Sequence, residues 1–169
     1  YDYLYKLSNI YYKKKDFEYS LNYYKKALTI SQELNNKKYE SICYNDIGLI
    51  YHEKKDYKTA LEYYQKALVI AQNLDDKKNI SIYSNNIGNI YLNQGKFNLS
   101  LDYFQKALFI AEKINDKKLT INTINDIGLT YNRKNEYETA LKYHQKALDI
   151  SKEIQDESSI SSSLSKIGK

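Results

Sequence analysis

Ile47-Gly48-Leu49-Ile50-Tyr51 returns as Ile87-Gly88-Asn89-Ile90-Tyr91 and as Ile127-Gly128-Leu129-Thr130-Tyr131, 40 residues apart each time. Leu7-Ser8 and Ile167-Gly168 fall on the same grid. So do Tyr11, Phe17, Tyr57, Phe97 and Tyr137, and so do Ala27, Ala67, Ala107 and Ala147, each followed by Leu. A fixed period of this size marks a repeat array and decides the fold before any element is drawn. The repeats run 1–40, 41–80, 81–120 and 121–160, and 161–169 begins a fifth repeat or forms a capping helix.

Within one repeat, Ile42, Cys43, Ile47, Ile50 and Tyr51 recur at three- and four-residue steps and share one face of a first helix, about four turns long. The polar Glu53-Lys54-Lys55-Asp56 break follows. Ala60, Leu61, Tyr64, Ala67, Leu68, Ala71 and Leu74 then form the stripe of a second helix. Asp56, Asn135, Asp76, Asp116 and Asp156 sit where N-cap acceptors are expected. Strand signals are absent, so the fold class is all-α: a right-handed superhelical solenoid of antiparallel helix hairpins. Gly48 opposite Ala60 and Ala67 lets two helices approach closely, with Tyr51, Tyr57 and Tyr64 filling the surrounding space.

These small and large positions resemble the tetratricopeptide repeats, whose Leu-Gly, Tyr, Ala, aromatic and Ala pattern is matched by Ile87-Gly88, Tyr91, Ser100, Phe104 and Ala107. The resemblance covers the whole chain. It departs in length, since the familiar repeat has about 34 residues and a closing Pro, whereas this chain has none. The surplus is expected to extend the second helix through stretches such as 108–115. Longer repeats of this kind are similar to those of kinesin light chains, spindle-orientation adaptors, Rap-type regulators and the sensor segments before some bacterial kinases.

The resemblance implies a concave groove lined by the fifth residue of each first helix and by those four and seven later. The fifth positions are Tyr5, Asn45, Asn85, Asn125 and Ser165; the others include Asn9, Leu49, Asn89 and Leu129, then Tyr12, His52, Leu92 and Asn132. A carboxamide offers a donor and an acceptor together, so Asn45, Asn85 and Asn125 can hold an extended peptide backbone. Alternatively, each Asn bonds a neighbouring helix or reflects a composition rich in Asn, Lys, Ile and Tyr. With Asn9, Asn89, His52, Leu92, Asn93, Leu129, Asn132 and Arg133 choosing side chains, the expected activity is protein or peptide binding. The alternative is intramolecular regulation of an effector domain of a parent protein. The basic clamp that some relatives use on a C-terminal carboxylate fits poorly, because Tyr5 and Asp46 stand where Lys and Asn are wanted.

Other classes find less support. The net charge of +5 comes from 26 Lys and Arg against 21 Asp and Glu. Lys37-Lys38, Lys77-Lys78 and Lys117-Lys118 make a dispersed basic row, expected to complement the negative end of the second helix; nucleic acid would need a denser patch. His52 and His144 occupy different repeat positions, and His144 takes the place of Tyr24, Tyr64 and Phe104, as a packed residue would. Cys43 is single and on the apolar face, so a buried thiol is expected. No metal-ligand spacing, phosphate loop or nucleophile motif is present, which argues against catalysis and cofactors. No apolar run approaches the roughly 20 residues of a membrane span. The chain starts at Tyr1 and stops inside a first helix, which suggests an excised piece of a longer, cytoplasmic protein. Its last helix, with Ile160, Leu164 and Ile167, is expected to leave an end open to self-association.

Overall fold

The computed structural model describes residues 2–167, with the backbone alone at Ile167. Nine α-helices and no strands are found among them. They are α1 (Asp2–Lys13), α2 (Phe17–Glu33), α3 (Lys37–Glu53), α4 (Tyr57–Asn73), α5 (Lys77–Asn93), α6 (Phe97–Lys113), α7 (Lys117–Arg133), α8 (Tyr137–Glu153) and α9 (Glu157–Ile167). Two compact units result: α1 to α4 within 1–76, and α5 to α9 within 77–169. In each, first and second helices pair as hairpins and the next first helix packs on the preceding second helix. Gly168, one of the grid positions, lies outside the described residues, as does the side chain of Ile167.

Helices α2 to α8 all have 17 residues. First and second helices are therefore equally long, and α6 stops at Lys113 with Asn115 in the turn. Every junction contains one left-handed residue: Lys15, Asn35, Lys55, Asp75, Gly95, Asn115, Asn135 and Gln155, at 20-residue steps. In each, the N–H of that residue and of the next turn back onto carbonyls of the preceding helix, for example Lys55 N to His52 O at 2.8 Å and Asp56 N to Tyr51 O at 2.9 Å. This arrangement satisfies carbonyls that a helix end leaves open. Asn135 is thus the left-handed turn residue (φ 62°) and not the cap expected from the sequence; Glu136 takes the cap position without a side-chain bond. Asp16, Asn36, Asp56 and Asp116 do cap, accepting from the N–H groups of Tyr19, Tyr39, Thr59 and Leu119.

The repeated glycines are where the hairpins close. A Cβ on Gly48 would stand 2.8 Å from the Tyr64 ring, one on Gly88 2.6 Å from the Phe104 ring, and one on Gly128 2.6 Å from the His144 ring. An interior helical Gly costs about 0.5–1 kcal/mol relative to Ala, and here it admits a fully buried ring from the partner helix. Ala27, Ala67, Ala107 and Ala147 are completely buried as well, Ala107 with its carbonyl accepting from Ser81 Oγ at 2.8 Å and Ala147 packed with Ile121 and Ile124. In the first unit Tyr24, Ile47 and Ile50 form a core flanked by Tyr5, Tyr12, Phe17 and Tyr63. In the second, Leu92, Leu101, Phe104 and Ile127 form one cluster and Ile121, Ile124 and Ala147 another.

Candidate functional site

The second helices bury alanines, rings and a few serines (Ser20, Ser31, Ser100 and Ser151), whereas the first helices bury carboxylates and carboxamides as well: Glu40, Asn45 and Asp46 in α3 with Ser41, and Asn125 in α7 with Thr120, Thr123 and Thr130. Burying an amide or hydroxyl is unfavourable without a partner. The geometry around the fifth and sixth helix positions shows where those partners come from.

In the first unit, Asn45 is 7% exposed and its Nδ2 donates to Asp46 Oδ1 at 2.9 Å. Tyr24 donates its hydroxyl to Asn9 Oδ1 at 2.7 Å, and the Tyr5 ring meets that of Tyr24 edge-on, 5.7 Å between centroids. Asp46 Oδ2 is buried and has no hydrogen-bond partner. Loss of solvent pushes the Asp46 carboxyl up to about 6, while Tyr5 and Asn45 pull against that rise. Burial likewise raises Tyr5, Tyr24 and Cys43, the thiol to about 12; a thiol held protonated this way is a poor nucleophile. His52 is half-buried, edge-on to Tyr57 at 5.8 Å, and desolvation lowers its pKa, with Glu53 opposing.

In the second unit, Asn85 Nδ2 donates to Asp126 Oδ2 at 2.8 Å and Asn89 Nδ2 donates to the same oxygen at 3.2 Å. Desolvation raises the Asp126 pKa, and the two amides and Lys166 oppose it. Asn125, 2% exposed, donates from Nδ2 to Ser163 Oγ at 3.2 Å and faces His144 Nδ1 with its Oδ1 at 3.1 Å. Asn132 Nδ2 reaches His144 Nε2 at 3.4 Å. Donors match acceptors along this chain when His144 is neutral with its proton on Nδ1. Its pKa is lowered, first by burial and then by Lys166, in keeping with that state.

Of the residues singled out from sequence, Asn45 and Asn125 are thus buried and bonded inside the protein, and Asn85 is half-buried and bonded to Asp126. Leu92 is 2% exposed and belongs to the core with Phe104 and Ile127, so it turns away from any open surface. Asn9, Asn89, His52, Leu129 and Asn132 are half-buried, and Asn93 and Arg133 are exposed. The amide-to-carboxylate and amide-to-histidine pairings went unseen in the sequence; the signal was there in the 40-residue offset that brings position five of one repeat beside position six of the next.

The basic row has a local explanation. Lys37, Lys77 and Lys117 open α3, α5 and α7, on the first-helix side of the junctions that follow the second helices. Lys38 Nζ lies 4.0 Å from Asp76, Lys78 3.2 Å from Asp116 and Lys118 3.4 Å from Asp156, each carboxylate one repeat further on. Exposed pairs of this kind contribute only about 0–1 kcal/mol each, but they cancel much of the field that a phosphate backbone would need. Among the described residues no group of three or more His, Cys, Asp or Glu is placed to hold a metal ion, and no helix is long and apolar enough to cross a membrane.

None of the curated proteins matches the chain. Solved structures do. Aspartyl phosphate phosphatase F from Bacillus subtilis is similar at 21% identity and a TM-score of 0.89, over 96% of this chain and 43% of that one. BtubC (BKLC) from P. vanneervenii is similar at 20% identity and a TM-score of 0.79, over 90% of this chain and 63% of that one. A signal transduction ATPase with numerous domains and a tetratricopeptide repeat sensor, from Pyrococcus horikoshii, is similar at 22% identity and a TM-score of 0.83, over 97% and 26%. The chain spans less than two thirds of the length of each, and the likeness shows the fold: an all-α helical repeat solenoid. The sequence profile of the tetratricopeptide repeat matches residues 2–73 and 79–153. The chain belongs to the tetratricopeptide repeat family.

Proposed function

We propose that this chain is one repeat array acting as a protein-interaction scaffold, and that the first-helix face takes a peptide segment of a partner. The observation that carries the reading is the polarity of that face. First helices hold half-buried Asn9, His52, Asn89 and Asn132 beside buried carboxylates, where packing alone would be served by apolar residues. Asn45, Asn85 and Asn125 then act mainly by holding neighbouring side chains in place, and the more open Asn9, Asn89, His52, Asn93, Leu129, Asn132 and Arg133 meet the ligand. Preorganised polar groups of this kind lower the ordering cost of binding.

A second reading, in which the array regulates an attached effector domain, is favoured by one finding: the similar ATPase from Pyrococcus horikoshii carries its tetratricopeptide repeats as a sensor in a much longer chain. Photo-crosslinking separates the possibilities. A photoreactive residue placed at 52, 93 or 133 is expected to capture a partner, or another domain of the same chain, whereas one on the outer second-helix positions 69 or 109 is not. Capture from 69 and 109 alone would reject the first-helix face.

A further inference from the structure

We infer that His144 is a positioning residue for the first-helix face: by accepting one N–H of Asn132 it turns that carboxamide so that Oδ1 faces the ligand, and this point of the face takes a hydrogen-bond donor, a backbone N–H of the bound peptide. This deepens the proposed function and rests on it. His144 is 1% exposed and wedged against Gly128, where even a Cβ would stand 2.6 Å from the ring. Asn125 Oδ1, 3.1 Å from Nδ1, holds the ring proton there, since the partner of one imidazole nitrogen decides the state of the other. Nε2 is left as an acceptor, and Asn132 Nδ2 lies 3.4 Å from it. A carboxamide carries its donors and its acceptor on different atoms, so committing Nδ2 to the ring points Oδ1 away from it.

That oxygen is available. Asn132 is half-buried, and its Oδ1 enters no hydrogen bond among the described residues and is not closed to solvent as Asp46 Oδ2 and Asn85 Oδ1 are. The pairing is confined to one repeat: where His144 stands the others have Tyr24, Tyr64 and Phe104, and where Asn132 stands they have Tyr12, His52 and Leu92. It is also reversible. Helix α7 meets the ring with Asn125, Gly128 and Asn132, and α8 itself places Ala140, Leu141, Ala147 and Leu148 three and four residues away, none of them charged. Lys166 of α9 is the charged group that acts on it. Burial and this like charge oppose protonation, so the ring takes a second proton only below the ordinary histidine value of 6.5. Nε2 then becomes a donor facing another donor, and the Asn132 carboxamide turns over and offers N–H in place of oxygen.

The test uses NMR on the whole chain labelled with nitrogen-15. At pH 7.5 the ring-nitrogen shifts of His144 are expected to show its proton on Nδ1. N-methylacetamide, a single peptide group with an N–H, is expected to shift the Asn132 side-chain resonances, whereas N,N-dimethylacetamide at the same concentration, which keeps the carbonyl and has no N–H, leaves them in place. As the pH falls through the His144 titration, the Asn132 resonances are expected to follow it and the preference between the two amides to reverse. His144→Phe removes the acceptor, and its Asn132 carboxamide is expected to lose both the pH dependence and the preference. A proton on Nε2 at pH 7.5 would overturn the inference without any variant, because Asn132 must then give its oxygen to the ring. Equal shifts from the two amides, or a preference that survives His144→Phe, would overturn it too. Each of these results leaves peptide binding itself standing, which crosslinking from positions 52, 93 and 133 decides separately.

Discussion

Asp46 in the first unit and Asp126 in the second occupy the same place in their repeats, and their surroundings differ. Asp126 receives two amides on one oxygen and the charge of Lys166 nearby. Asp46 has one amide on Oδ1 and nothing on Oδ2. The ring that fills the hairpin differs as well: Tyr64 has a buried hydroxyl with no partner, whereas His144 has both ring nitrogens engaged. One backbone plan therefore supports two different pairings at the same address, although each unit keeps buried polar atoms without a partner: Asp46 Oδ2 and Tyr64 OH in the first, Asn85 Oδ1 and Ser100 Oγ in the second. Unmatched buried polarity is costly for folding.

The comparison can be broken most sharply at the carboxylates. Asp46 titrates at about 6 in the folded protein against an ordinary 3.8, so the folded state takes up the proton first. Its ionisation penalises folding in full above about pH 6, and the penalty disappears as pH falls toward 3.8. Asp46→Asn is expected to stabilise the protein at pH 7.5 by on the order of 2–3 kcal/mol and by almost nothing at pH 3.5, as read from denaturant unfolding. Asp126→Asn should gain less, since it sacrifices acceptors that Asn85 and Asn89 use. Equal gains would erase the distinction between the two carboxylates.

Hairpin closure, by contrast, should be common to both. Ala67→Leu and Ala107→Leu, at fully buried crossings, are each expected to lose about 1–3 kcal/mol from overpacking; a melting temperature unchanged from the parent would remove that assignment. His144→Phe restores the ring found at Phe104 but strips Asn125 Oδ1 of its donor, with an expected loss of about 1–2 kcal/mol. Because the His144 pKa is lowered, its contribution should be present above the ordinary histidine value of 6.5 and fade as pH falls below it; the pH profile of the Phe variant should lack that decline. Smallest, Tyr64→Phe removes an unpartnered hydroxyl and is expected to be neutral or to gain up to about 1 kcal/mol, whereas Tyr24→Phe, which loses its bond to Asn9, should cost about as much.

The repeat and its crossings were legible because Gly48, Gly88 and Gly128 and the alanine columns have one steric purpose each, and steric purposes leave a periodic trace. The buried placement of Cys43 and His144 followed from the same trace. The partners of the amides were not legible. Asn85 can face a groove or a carboxylate equally well, and only the placement of α7 beside α5 brings Asp126 within 2.8 Å. Leu92 escaped for a similar reason: the resemblance put its column on the groove, but its bulk turns into the cluster of Leu101, Phe104 and Ile127. The turns escaped because Lys15, Lys55 and Gln155 are poor markers of a left-handed backbone, and no composition rule separates Asn135 as turn residue from Asn36 as cap.

Those turns have a bearing on how such a chain can change. Left-handed residues fall every 20 positions and the helices between them are of one length, so each side chain has a fixed address, set by its distance from the nearest junction. At address six the chain already holds Lys6, Asp46, Asn86, Asp126 and Lys166: cation, anion and amide on one unvarying frame. The chemistry at one address can then change by single substitutions, with no loop to remodel and no helix to move.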